Sequence, residues 1–142
     1  MEGGTQMIDF YIKEDLDSFN LELISKEILD VDNLCLISYD KFIPENNEYY
    51  RFDEFKVICV YQPCKGDVSL LINVVDGDIL DNEKILGNLK NVAKKYELSF
   101  YCPDNEDMDM GSFVLYSPDG KVIRNYEVTE DEDENISFRL CN

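Results

Sequence analysis

Acidic side chains are the residues of this sequence with the greatest potential for chemistry. The chain holds 31 Asp and Glu against 13 Lys and Arg and has no histidine, which gives a formal net charge of −18. Carboxylates can bind calcium, transfer protons or attract basic partners, and their spacing distinguishes these uses. The excess is uneven, because residues 97–134 contain twelve acids and only two bases, Lys121 and Arg124.

A calcium-binding loop is the first use that the spacing can test. The EF-hand loop requires glycine at its sixth position and glutamate at its twelfth. A loop starting at Asn105 would place Met110 and Tyr116 at those two positions. A loop starting at Asp76 fails as well, because Leu80 occupies a ligand position. Zinc sites use Cys and His ligands in closely spaced pairs, and this sequence has neither histidine nor a CxxC pair, so it predicts no metal site.

Nucleophilic and cofactor chemistry have little support in the sequence. Ser–His and Cys–His pairs are impossible without histidine, and no glycine-rich loop leads into a Lys-Ser or Lys-Thr pair. We therefore expect no catalytic residue, no cofactor and a protein that is not an enzyme. An acid-rich hydrolase stays open as an alternative, because carboxylate pairs of the glycosidase type meet only in space.

The cysteines indicate a reducing compartment. Their number is odd, no two of them have CxxC spacing, and three lie inside apolar runs, where a free thiol behaves as a small buried hydrophobe. We therefore expect reduced thiols and a cytoplasmic protein. The five are Cys35, Cys59, Cys64, Cys102 and Cys141.

Two acidic runs and one aromatic pair are the candidate partner-binding residues. Acids beside adaptable methionines suit a protein interface, and tyrosine is favoured at binding hot spots. The alternatives are solvated loops that keep the protein in solution and, for the tyrosines, an ordinary strand start. The candidates are Asp104, Glu106, Asp107, Met108 and Asp109 in the first run, Glu130, Asp131, Glu132 and Asp133 in the second, and Tyr49 with Tyr50.

Hydrophobic periodicity predicts the elements that position these residues. An apolar stripe over residues 81–96 predicts a helix, with Asp81 as N-cap and two lysines in the last turn. Residues 15–30 fit both helical and strand periods, and we favour a helix that begins near Asp15 or Asp17. Strands are predicted at residues 7–12, 34–39, 55–61, 68–75, 98–102, 112–116, 121–128 and 136–140.

These elements predict an α+β fold, a mainly antiparallel sheet with two helices packed on one face, because strands outnumber helices and the clearest ones are neighbours in sequence. A length of 142 residues suits one domain. We expect residues 7–142 to form that domain and residues 1–6 to be a disordered or non-native N-terminus. If the later strands form a meander, both acidic runs would lie at one end of the sheet.

In general character this chain resembles the immunity proteins of bacterial polymorphic-toxin and contact-dependent growth inhibition systems. The resemblance lies in residues 92–100, where a helix leads into a strand, and in the acidic loop and the strand pair turning at 117–120 that follow. Such proteins bind a cognate toxin and block its active site, and many of the toxins are nucleases with basic clefts. The resemblance implies an acidic inhibitor that neutralises a basic nuclease domain by electrostatic and steric block.

A nucleic-acid mimic or regulatory adaptor that binds a basic protein would have the same surface, so the sequence leaves this alternative open. In either case the expected partner is a basic protein. Nucleic acid and anionic membrane are not expected as partners, because the field of the protein repels both.

Overall fold

The computed structural model describes residues 8–41, 57–76, 82–103, 111–133 and 135–140. Within these ranges the chain forms eight β-strands and two α-helices, at the places where the sequence predicts them. The strands are β1 (Ile8–Ile12), β2 (Leu34–Ser38), β3 (Val57–Gly66), β4 (Leu70–Asp76), β5 (Phe100–Pro103), β6 (Ser112–Ser117), β7 (Gly120–Glu130) and β8 (Ile136–Leu140). The helices are α1 (Ser18–Leu29) and α2 (Asn82–Tyr96), and a 3-10 turn spans Tyr39–Lys41.

The strands close into a barrel, which corrects the predicted fold class. Antiparallel pairing runs in the order β3-β4-β1-β5-β6-β7-β8, and β8 then pairs with β3 in parallel from Cys64↔Ile136 to Gly66↔Phe138. Seven strands of the described chain therefore form a closed barrel, and β2 lies outside it, parallel to β3. The predicted α+β sheet with two helices packed on one face is wrong. Hairpin signals in a sequence are local, whereas the closure of the barrel pairs β3 with β8, which are far apart in sequence.

Aromatic side chains fill the barrel. The Phe138 ring lies 4.7 Å from the rings of Tyr11 and Tyr126, 5.0 Å from Phe113 and 5.2 Å from Tyr101, measured between centroids. All five side chains are buried. Tilted and edge-to-face contacts of this kind add to the free energy gained by burying the rings.

The two helices pack outside the barrel over a second apolar core. Successive side chains of a strand alternate between the barrel interior and this outer core. Tyr11 belongs to the interior, whereas its neighbours Phe10 and Ile12 belong to the outer core. Side chains tie the helices together as well, since Glu27 accepts hydrogen bonds from the Tyr96 hydroxyl (2.7 Å) and the Lys95 ammonium (3.1 Å). No helix among the described residues is long and apolar enough to cross a membrane.

Local signals explain where α1 begins and ends. Asp17 accepts a hydrogen bond from the Asn20 backbone N–H at 2.8 Å, which is a standard N-cap. Asp30 ends the helix in the left-handed conformation, with φ of 55°. These caps confirm the helical reading of residues 15–30 over the strand alternative.

Candidate partner-binding surface

The acidic hairpin is the candidate site that the structure describes best, and we define it as residues 126–140. It comprises the second half of β7, the loop 131–135 and β8, with register from Tyr126↔Leu140 to Glu130↔Ile136. Its sequence has six acids and a single base, Arg139. The hairpin thus concentrates negative charge on one element of the barrel.

Asp131 organises the loop of the acidic hairpin. Its carboxylate accepts hydrogen bonds from the Asn135 backbone N–H (2.9 Å), the Asn135 side-chain amide (3.1 Å) and the Asp133 backbone N–H (2.9 Å). The bonds from Asn135 are the main cause that lowers the pKa of the Asp131 carboxyl. Asp131 therefore stays ionised and shapes the loop, so its carboxylate is less available to a partner.

The other predicted acids of this run remain available. Glu130, Glu132 and Asp133 are exposed. Among the described residues, the ion pairs involve Lys26, Lys84 and Lys95 and none of these three carboxylates. Their charges are therefore not neutralised by the protein itself.

Two exposed apolar side chains lie on the same hairpin. Val128 is 40% exposed and Leu140 is 39% exposed. Val128 is paired with Phe138 and Leu140 with Tyr126, and paired residues share a face, so both lie on the face of the hairpin whose Phe138 and Tyr126 rings fill the barrel. Neither residue is among the candidates from the sequence, although the alternation of Ile136, Phe138 and Leu140 does predict the strand.

The remaining predicted site residues lie outside the described part of the chain. This applies to Asp104, Glu106, Asp107, Met108 and Asp109, and to Tyr49 and Tyr50. The described residues on either side of the first run, Pro103 and Gly111, lie near the middle of β7, since Phe113 pairs with both Pro103 and Arg124. β5, β6 and β7 form the meander considered for residues 98–128, and β8 extends it; that both acidic runs lie at one end of the sheet stays a prediction.

The cysteines are suited to packing. Burial raises the pKa of Cys59 and Cys102 to about 12 and that of Cys64 to about 11, so these thiols stay protonated at neutral pH. In the described ranges, no three His, Cys, Asp or Glu side chains converge as metal ligands would. These residues therefore supply no candidate nucleophile or metal centre.

Comparison with known proteins gives no relative for this chain. No protein-family model, curated protein or solved structure matches it. The proposals below therefore depend on the surface of the molecule itself.

Proposed function

We propose that this protein is an acidic inhibitor that binds a basic protein through the acidic hairpin, acting as an immunity protein that neutralises a cognate toxin with a basic nuclease domain. The observation that carries the proposal is the combination of exposed, unpaired acids at Glu130, Glu132 and Asp133 with the exposed apolar side chains of Val128 and Leu140.

The two kinds of side chain have separate roles in this proposal. A nuclease cleft is basic because it binds phosphate, and carboxylates on a projecting loop can occupy the phosphate positions. Long-range attraction speeds the encounter, while rim charges add little to the final affinity. Val128 and Leu140 supply the apolar contact that affinity requires, because covering their exposed surface removes apolar area from water, which is favourable.

Charge reversal tests the proposed surface. The variant Glu130→Lys, Glu132→Lys, Asp133→Lys should lose the basic protein that the wild type captures from its native cells, identified by mass spectrometry. Asp131 is left unchanged because it shapes the loop. The matched control reverses three exposed acids elsewhere, Asp15, Glu97 and Asp119, and makes the same change in net charge.

The outcomes separate the proposal from its competitors. Loss of capture by the hairpin variant but not by the control supports the hairpin as the interface, and nuclease activity in the captured protein supports the immunity role. Equal capture by both variants would show that the interface lies elsewhere. With the captured partner, the association rate constant should fall steeply between low and high salt.

A further inference from the structure

The outer edge of β2 is a surface of the fold that lies outside the acidic hairpin. β2 pairs with β3 along one edge, and among the described residues no strand pairs with its other edge. The strand reads Leu-Cys-Leu-Ile-Ser, so it has no charge and no proline. Proteins protect exposed edges with lysines, prolines or bulges, because an open row of N–H and C=O groups recruits further strands. β2 lacks the first two of these devices.

The acidic hairpin approaches the end of this edge. β4 occupies one edge of β3, so β2 and β8 share the other edge, one after the other and both parallel to β3. β2 ends at Ser38 opposite Tyr61, and β8 begins at Ile136 opposite Cys64, three residues farther along β3. The loop 131–135 therefore enters β8 from the side on which β2 ends.

Exposed carboxylates lie on both sides of this junction, together with Lys65 of β3, which acts on Asp131 electrostatically. Asp40 follows β2, is exposed and accepts a hydrogen bond from the Ser38 hydroxyl. Glu132 and Asp133, in the loop that enters β8 from the side on which β2 ends, are exposed as well. A strand added to β2 would thus have a neutral backbone template along its length and an acidic field at one end.

From this arrangement we infer that β2 captures an extended segment of the basic partner as an additional strand, with Lys or Arg side chains of that segment at the end beside Ser38. The inference rests on the proposed function, since it assumes the same basic partner. Main-chain hydrogen bonds would supply affinity and the charged end would fix the register. A second copy of this chain is disfavoured as the occupant, because each copy has a net charge of −18.

Synthetic peptides provide a probe that does not need the natural partner. The probes are two nine-residue peptides of alternating valine and threonine. One has three lysines at its first positions and the other has them at its last positions, because the added strand could run parallel or antiparallel to β2. By amide NMR, one of them should shift the signals of residues 34–38 and slow hydrogen exchange there at least about tenfold. The control peptides have glutamate in place of lysine and should do neither. Shifts confined to the hairpin, or no shifts at residues 34–38, would overturn the inference.

An edge variant tests the same point on the natural partner. Ser38→Lys places a charge on β2, and Asn91→Lys makes the same change on an exposed position of α2. The first should weaken binding of the captured protein at least about tenfold relative to the second. Circular dichroism verifies that both variants fold. If both bind alike while the hairpin variant does not bind, β2 is not the docking edge and the proposed function stands.

Discussion

At the scale of the residue, neighbouring carboxylates in one loop have different roles. Asp131 is held by three hydrogen bonds within the loop, whereas Glu132, the next residue, is exposed and has none from its side chain in the described structure. Sequence alone cannot separate them, because both belong to one acidic run. The distinction depends on which carboxylate accepts the backbone hydrogen bonds of the loop.

Removing each carboxylate in turn tests this difference. Asp131→Ala should speed hydrogen exchange at the backbone amides of Asp133 and Asn135, because both donate to the Asp131 carboxylate. Glu132→Ala makes the same charge change and should leave these rates as they are. Comparable exchange in the two variants would contradict the structural role given to Asp131. The measurement is amide exchange by NMR at one pH.

At the scale of the element, the seam between β3 and β8 depends on Gly66. Its φ is +98°, and a Cβ at this position would lie 2.2 Å from the Phe138 carbonyl oxygen. Only glycine avoids both the left-handed strain and this collision. The seam is only three residue pairs long, so it has no spare pairs to compensate for a disturbed one.

Two glycines, Gly66 in the seam and Gly87 in α2, allow a controlled test of the seam. Gly66→Ala should lower the free energy of unfolding by about 3 kcal/mol, from backbone strain and the clash together. Gly87→Ala, in the middle of α2 with no atom within 4 Å of the new Cβ, should raise it by about 0.5–1 kcal/mol. Urea denaturation measures both, and a Gly66→Ala protein as stable as wild type would refute the seam.

The elements also show what a sequence can and cannot predict here. Both helices, the meander and the β3–β4 hairpin were predictable, because apolar periodicity and turns are local signals. The strand predicted at residues 55–61 continues in the structure through Pro63, which pairs with Leu70. Closure was missed because nothing near Cys64 indicates that Ile136 will be its neighbour. Of the candidate site, the second acidic run was named from its charge and stays a prediction, whereas Val128 and Leu140 are singled out only by their exposure in the structure.

At the scale of the whole molecule, the two cores contain groups that resist ionisation. Burial raises the pKa of Tyr11 to about 12 in the barrel and raises that of Tyr101 further, while Cys59 and Cys102 are shifted likewise in the outer core. In the unfolded chain, thiols ionise near pH 9 and phenols near pH 10. Between these values and about pH 12 the native state therefore keeps protons that the unfolded chain has released.

This difference predicts loss of stability in alkali. The free energy of unfolding should change little between about pH 6 and pH 8 and then fall, by about 1.4 kcal/mol per pH unit for each group ionised only in the unfolded state. Tyr11→Phe removes one such group and should make the fall shallower above pH 10. Denaturation curves at a series of pH values measure the slope, and equal stability at pH 8 and pH 11 would rule out the effect.

The position of Phe138 has a consequence for the order in which this protein can fold during synthesis. The ring at the centre of the barrel belongs to β8, about half the chain after the β3 residues that it joins. A ribosome that has made β1 to β7 has produced a barrel wall whose tyrosines still face water. The nascent chain must keep that surface from aggregating until β8 emerges, and contacts so distant in sequence form slowly. Its strong negative charge, which keeps like chains apart, acts over the same interval.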